Sequence, residues 1–165
     1  NKFKFIKKNI KLLDIGACPG GWAQVASKII TSGKILALDH KKMEKIKNIS
    51  FLQMNFLDKN TQERILEFFN GRIDVILSDM ASDTTGNKSL DCIRTNQLCA
   101  EVINFSSNFL KSDGVLISKL FMGEDFLEVK YLAKSKFKNV NFFKPEASRN
   151  ESKETYLHCT LLKSL

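Results

Sequence analysis

A glycine-rich turn stands between an apolar run and a helical pattern near the start of the chain. Residues 16–21 read GACPGG, after a run that predicts a strand and before a pattern that predicts a helix. Because glycine loses the most backbone entropy when it is fixed, this turn is either very tight or closely approached by a ligand. The spacing is not the dinucleotide GxGxxG, since Cys18 occupies a glycine position, and no GK[ST] of a P-loop follows.

Three carboxylates accompany this turn in the predicted strands. Asp14 lies in the first strand, Asp39 ends the second and Asp79 ends the fourth. In parallel α/β sheets, ligands bind beyond the carboxyl ends of the strands, and an acid at the tip of the second strand binds a ribose diol. A glycine turn, a ribose-binding acid and no phosphate-binding motif favour a nucleoside cofactor without phosphates. S-adenosyl-L-methionine fits this description, and a nicotinamide cofactor is the alternative.

The elements that must position these residues follow from alternating apolar runs and helical patterns. We predict strands at 11–16, 34–40, 49–56, 72–80, 113–121, 138–144 and 154–162, and helices at 21–30, 61–70, 90–110 and 126–137. The second helix has Thr61 in the position of a cap. Continuous apolar strands indicate burial on both faces, and strand–helix alternation indicates a parallel sheet. The sequence therefore predicts one doubly wound α/β domain over residues 1–165, with a mostly parallel sheet and an antiparallel end.

Charge and composition limit the partners. Lysine and arginine outnumber acidic residues by 26 to 18, giving a net charge of +8, and the lysines cluster at 2–11, 41–47 and 130–153. Such a surface attracts polyanions, nucleic acid above all, although a lysine-rich proteome gives the same bias. No apolar stretch approaches the roughly 18 residues of a membrane span, and no signal peptide is visible. We expect a cytoplasmic bacterial protein, or an organellar one from a eukaryote, whose natural start lies upstream of Asn1.

The cysteines predict free thiols. Cys18, Cys92, Cys99 and Cys159 form no CxxC motif, and the two histidines lie far apart in the sequence, so no metal site is expected. Cys92 and Cys99 are seven residues apart and can share one buried face of a helix. Reduced thiols in a reducing compartment are the simplest interpretation.

Six segments, taken together and in order, carry a family resemblance. They are DIGACPGGW, ALDHKKM, FLQMNF, VILSDMA, GVLISKLF and SRNESKETY, and they span nearly the whole chain. Together they resemble the FtsJ-type RNA ribose 2′-O-methyltransferases. The resemblance implies a Rossmann-like methyltransferase fold, S-adenosylmethionine as cofactor, and methylation of a uridine in large-subunit ribosomal RNA. The implied partner is ribosomal RNA or the large ribosomal subunit, and we expect a monomer.

The resemblance also assigns a cofactor site residue by residue. Gly20 and Trp22 match the cofactor-contacting PGGW, and Asp39 matches the acid on the cofactor ribose. Asn55 stands where the family usually has an aspartate near the adenine. Asparagine both donates and accepts hydrogen bonds, so affinity is expected to shift without loss of binding. Asp79 matches an aspartate counted both as a cofactor contact and as a catalytic residue.

The catalytic set implied by the resemblance is Asp79, Lys119 and Glu154, together with an upstream lysine that by spacing falls before Asn1. Lys119 as general base needs a pKa several units below the ordinary value near 10.4. Burial favours this depression, whereas Asp79 and Glu154 oppose it, so an orienting, charged Lys119 is the alternative. Arg149, in the basic loop before Glu154, is a predicted RNA-phosphate contact.

Two other functions are compatible with the sequence. The segment LSDMASDTTG resembles the ribosomal RNA group, whereas SRNES is closer to a transfer RNA ribose methyltransferase. The first segment lies at the predicted active site and carries more weight. A catalytically inactive RNA-binding or ribosome-assembly factor on the same scaffold is the second alternative, and the presence of Asp79, Lys119 and Glu154 argues against it.

Overall fold

The fold is an α/β sandwich in a computed structural model that describes residues 4–145 and 152–164. Its strands are β1 (Lys11–Ile15), β2 (Lys34–Asp39), β3 (Ser50–Gln53), β4 (Ile73–Ser78), β5 (Leu110–Phe121), β6 (Phe137–Phe143) and β7 (Glu154–Leu162). Its helices are α1 (Gly21–Ile29), α2 (Lys59–Phe69), α3 (Lys88–Phe109) and α4 (Phe126–Lys136). The predicted alternation of strands and helices is therefore confirmed.

All seven strands form one sheet in the order β3-β2-β1-β4-β5-β7-β6. The pairs from β3 to β5 are parallel, and β7 runs antiparallel to both β5 and β6. The predicted mostly parallel sheet with an antiparallel end is confirmed. The strand order reverses direction at β1, which has β2 on one side and β4 on the other. The carboxyl ends of these strands therefore form the crevice in which such sheets bind ligands.

The core lies on both faces of this sheet, as the continuous apolar strands predict. Leu13 and Ile76 belong to one buried cluster, whereas their neighbours Leu12 and Val75 belong to another. Successive side chains of a strand point to opposite faces, so both faces are covered by packed residues. Cys92, Cys99 and Cys159 are buried, Cys18 is partly exposed, and all four thiols are free. Within the described residues, no helix is long and apolar enough to cross a membrane.

The main corrections concern where elements begin. Helix α2 begins at Lys59 with Asp58 at its N-cap, so the prediction that Thr61 caps it is wrong. The carbonyl of Asp58 accepts hydrogen bonds from the backbone N–H groups of Thr61 and Gln62, which starts the helix earlier. Strand β5 begins at Leu110, directly after α3, instead of at residue 113.

Candidate active site

A cavity of about 500 Å³ opens at the carboxyl ends of β1, β2 and β4. Three of its lining residues are the predicted cofactor contacts Asp39, Asn55 and Asp79. They come from the end of β2, the loop after β3 and the end of β4. The structure thus brings together side chains that are up to 40 residues apart in sequence, at the edge of the sheet where the topology predicts a ligand.

Asp39 holds the glycine turn against the end of β2. One carboxylate oxygen accepts the backbone N–H of Cys18 at 2.9 Å, and the other accepts the N–H of Lys41 at 2.8 Å. The N–H groups of Gly16 and Ala17 both donate to the carbonyl of Leu38. A carboxylate has about four acceptor positions, so Asp39 keeps acceptor capacity toward the cavity.

The glycines of the turn have different reasons to be glycine. Gly16 lines the cavity at φ 72°, and a Cβ there would lie 2.8 Å from Cγ of Met80. Gly20 is the N-cap of α1 at φ 113°, and a Cβ there would lie 2.7 Å from Cδ1 of Ile46. Both backbone conformations are in the left-handed region that favours glycine. Among the described residues, Gly20 and Trp22 are not part of the cavity lining, so the structure places Gly20 in a packing role behind it.

Asp14 is a fully buried carboxyl group beside this cavity. Neither of its oxygens has a hydrogen-bond partner of normal geometry among the described residues. Burial, and then repulsion from Asp79, raise its pKa from 3.8 to about 7, with a smaller contribution from Asp39; the backbone N–H of Ala23 offsets this only in part. Buried polar groups are ordinarily satisfied, whereas Asp14 has no such partner among the described residues and does not line the cavity.

Replacing Asp14 with asparagine is expected to change the pH dependence of stability. A carboxyl with a higher pKa in the folded state stabilises the fold when protonated, and that stability is lost as the pH rises from about 4 through 7. The whole loss is about 4 kcal/mol. The free energy of unfolding is measured with urea between pH 4 and 8, without added ligand. As the pH rises, that of Asp14→Asn should increase by a few kcal/mol relative to that of the parent. Unfolding free energies of the parent and the variant that change in parallel with pH would contradict the raised pKa of Asp14.

A second group of charged side chains adjoins the cavity through Asp79; it consists of Lys119, Asp79 and Glu154 and is called the lysine cluster below. The ammonium of Lys119 lies 2.9 Å from Oδ1 of Asp79 and 3.4 Å from Oε2 of Glu154. Lys119 is opposite Tyr156 in the β5–β7 ladder, and Glu154 is two residues earlier on β7. Residues two apart on a strand share a face, so the antiparallel end of the sheet places Glu154 diagonally beside Lys119. The structure therefore brings the three predicted catalytic residues into direct contact.

Lys119 is charged in this arrangement. Burial acts to lower its pKa, but the hydrogen bond and charge of Asp79, followed by those of Glu154, outweigh burial and raise the pKa above its ordinary value. Asp79 and Glu154 therefore oppose the pKa depression that a general base needs. Burial disfavours the charged form of Lys119, but the side chain is still 13% exposed. The two carboxylates within hydrogen-bonding range favour the charged form more strongly.

Tyr156 is a site residue that the sequence pattern did not predict. Its hydroxyl donates a hydrogen bond to Oδ1 of Asp79 at 2.7 Å, so one carboxylate oxygen holds both Tyr156 and Lys119. Burial and the neighbouring Asp79 raise the pKa of Tyr156, which keeps the phenol neutral and able to donate. Trp22 packs against its ring with a centroid distance of 5.5 Å, so Trp22 adjoins the lysine cluster and not the cavity.

The remaining predicted residues are placed as follows. Asn55 is exposed at the rim of the cavity, and its side-chain oxygen accepts the backbone N–H of Leu57 at 3.0 Å. Its amide NH₂ is thereby left as the group available to a ligand. Arg149 lies outside the described residues.

The fold is that of the Rossmann-like methyltransferases. The sheet superposes on human methyltransferase-like protein 13, solved in complex with SAH, with a TM-score of 0.71 over 95% of this chain and 77% of that one, at 16% identity. A model of the FtsJ-like methyltransferase family matches residues 1–161. The chain belongs to the FtsJ-like methyltransferase family.

Closer relatives carry more specific names. "Ribosomal RNA large subunit methyltransferase E" of Pelagibacter ubique is 43% identical over 98% of this chain and 80% of its own length. A structure described as a ribosomal RNA methyltransferase from Plasmodium falciparum has a TM-score of 0.85 and 31% identity, covering 98% of this chain and 91% of that one. The resemblance found in the six sequence segments is thereby confirmed.

Proposed function

We propose that this protein transfers a methyl group from S-adenosylmethionine to the ribose 2′-hydroxyl of a uridine in large-subunit ribosomal RNA. The observation that carries the proposal is the contact of Lys119 with Glu154 and with Asp79, which also lines the cavity. It is supported by the names of relatives more than 40% identical over nearly the whole chain.

The cavity fits the methyl donor. S-adenosylmethionine carries a sulfonium and an ammonium charge, and the cavity lining includes the carboxyl groups of Asp39, Asp79 and Asp83. Asp39 retains acceptor capacity for a ribose diol. When bound, the cofactor supplies an activated methyl group. Residues 16–21 carry no phosphate-binding motif, consistent with a nucleoside that has no phosphates.

The acceptor hydroxyl is held by Lys119 in this proposal. Lys119 remains an ammonium between Asp79 and Glu154 and donates a hydrogen bond to the ribose oxygen, fixing its line of approach. The two carboxylates hold the ammonium in place, and the hydroxyl of Tyr156 holds Asp79. The ribose proton is released to solvent after attack, when the oxygen has become strongly acidic. Alignment, not resting basicity, is then the main contribution of Lys119.

The substrate assignment agrees with the charge of the chain. Lys41, Lys42, Lys45 and Lys47 are exposed on the loop beside the cavity, and Lys41 lines it. Clustered cations neutralise phosphates and provide the sequence-independent part of RNA binding. Acting on ribosomal RNA places the protein where ribosomes are assembled, which in a bacterium is the cytoplasm.

Replacing Asn55 with aspartate is expected to tighten cofactor binding. Aspartate keeps an oxygen for the N–H of Leu57 and offers a second, charged acceptor where asparagine has an amide NH₂. A charge-assisted bond to the adenine amino group should gain about 1 kcal/mol, a roughly 5-fold lower Kd. Calorimetric titration with S-adenosylhomocysteine measures it, with Asn55→Ala as the control that removes both groups. Equal or weaker binding by the aspartate variant would refute this orientation of Asn55.

The substrate class is tested by methyl transfer from labelled S-adenosylmethionine to four acceptors in parallel: intact large ribosomal subunits, small subunits, naked ribosomal RNA and transfer RNA. The proposal predicts label in large-subunit RNA. Label in transfer RNA alone would move the protein to the other FtsJ-type group. Cofactor binding without transfer to any acceptor would favour an inactive RNA-binding or assembly factor.

A further inference from the structure

An aromatic row leads away from the lysine cluster across the antiparallel end of the sheet. Tyr156 on β7 is opposite Lys119 on β5 and also opposite Phe143 on β6. Directly opposed residues in antiparallel strands point to the same face. Lys119, Tyr156 and Phe143 therefore stand side by side on one face, over about 10 Å at the usual spacing between strands.

The row ends at an aromatic ring that is partly exposed to solvent. Tyr156 is 6% exposed and lies between two aromatic neighbours, Trp22 at 5.5 Å and Phe143 at 5.7 Å between ring centroids. The rings of Tyr156 and Phe143 are stacked, with 21° between their planes. Phe143 is 41% exposed, so the last member of the stack presents apolar aromatic surface to solvent.

The exposed ring of Phe143 lies on the side of the site where the RNA acceptor binds in the proposed function. Asp79 borders both the cofactor cavity and the lysine cluster, whereas Lys119, Tyr156 and Phe143 are outside the cavity lining among the described residues. The cavity takes the methyl donor in the proposed function. The row therefore extends from the reacting position toward the side from which the acceptor must come.

We propose that Phe143 stacks an unpaired nucleobase of the RNA acceptor and so positions the ribose whose hydroxyl reaches Lys119. The inference rests on the proposed function and adds a binding contact to it. Proteins hold unpaired bases by stacking them on aromatic rings and neutralise the adjoining backbone with cations. Phe143 adjoins Lys144, and Lys153 on the way into β7 is also exposed. Phe143 is thus a positioning residue and not a catalytic one.

The contact is specific to a base and not to phosphate. A phenyl ring carries no charge and no donor, so its exposed surface can gain little from the backbone of RNA. Every nucleobase has a π-face, and the span from Phe143 to Lys119 suits the methylated nucleotide or its immediate neighbour. The inserted base must be unstacked from its own strand, which favours a loop or an open intermediate of the ribosomal RNA over a continuous helix.

The test compares Phe143→Ala, Phe143→Leu and Phe143→Trp in steady-state methyl transfer. Loss of one stacked base should lower kcat/KM roughly 5- to 150-fold, mainly through KM for RNA, in both the alanine and leucine variants. Tryptophan should restore at least the parent value, since it has a larger π-face. The Kd for S-adenosylhomocysteine should stay unchanged in all three. Tyr131→Ala is the matched control, because Tyr131 is an aromatic residue 65% exposed on α4.

The outcomes separate this inference from the proposed function. If the parent methylates RNA and Phe143→Ala has the same KM for RNA, the stacking contact is wrong and the proposed function stands. If the parent methylates no RNA, the proposed function fails. Binding of the same variants to single-stranded RNA then tests whether Phe143 stacks a nucleobase. Weaker binding by both alanine and leucine variants supports it, and unchanged binding overturns it.

Discussion

Replacing Lys119 with alanine is expected to lower the rate of methyl transfer by roughly 10²-fold, the cost of a misplaced acceptor. The ammonium of Lys119 is the only cationic group within 4 Å of both Asp79 and Glu154 among the described residues. Without it, no group of the cluster can align the ribose oxygen, and two carboxylates are left to repel each other. Cofactor affinity should change little, since Lys119 does not line the cavity. Single-turnover transfer with saturating cofactor measures the effect on the chemical step.

The matched control for this variant is Lys111→Ala. Lys111 lies on the same strand and also pairs with an aspartate, Asp74, but at the end of β5 remote from the cavity. It should retain the parental rate. A Lys119→Ala protein within a few-fold of the parent, with normal cofactor binding, would show that the cluster is not the catalytic centre.

The pH dependence of the parent distinguishes the two roles of Lys119. Asp79 and Glu154 raise the pKa of Lys119, so it stays protonated at neutral and mildly alkaline pH. If the ammonium orients the acceptor, the rate should not increase over this pH range. The rate should fall at the higher pH where Lys119 loses its proton. A general base predicts the opposite slope, since only its neutral form acts. A rate that rises tenfold per pH unit up to an alkaline plateau would assign Lys119 as the base.

Replacing Asp39 with alanine is expected to weaken cofactor binding by about 100-fold. Its carboxylate makes two backbone hydrogen bonds that hold the glycine turn, and it faces the cavity where a ribose diol would bind. Hydrogen bonds to a charged group contribute about 1.5–3 kcal/mol each. Loss of one or two such bonds to the ligand therefore accounts for a Kd that is about 100-fold higher. Titration with S-adenosylhomocysteine gives the Kd directly.

Two variants control the Asp39 experiment. Asp39→Asn keeps one oxygen and the shape, so it should fall between the parent and Asp39→Ala. Asp113→Ala removes an exposed carboxylate near the start of β5 and should bind as the parent does. Unchanged affinity in Asp39→Ala would mean that the acid serves only the turn and that the cofactor ribose is held elsewhere.

Much of the fold could be predicted because burial is visible in the sequence. Strands such as β1 and β4 are apolar without alternation, and their interiors are fully covered. Element boundaries are less visible: apolar periodicity sets the buried face of α2, but the backbone bonds of Asp58 set its first turn. The prediction that Thr61 caps this helix failed for that reason.

The site could be predicted only in part, because its chemistry depends on distances. Asp39, Asn55 and Asp79 meet at the cavity because strand ends in a parallel sheet converge. The charged state of Lys119 depends on how closely two carboxylates approach, which no spacing reveals. Gly20 shows the converse limit: a positive φ and the side chain of Ile46 require glycine there without any ligand. Tyr156 had a signal, since it follows Glu154 by two residues on a strand.

The identity of the methylated nucleoside tests the proposed ribose methylation. Large-subunit RNA methylated by the protein in vitro is digested to nucleosides, and the labelled product is identified by mass spectrometry. We expect methyluridine with the methyl group on the ribose, and a corresponding phosphodiester that resists alkaline cleavage because the 2′-oxygen is blocked. A methyl group on a base, with the neighbouring bond still cleaved by alkali, would contradict the role assigned to Lys119, Asp79 and Glu154.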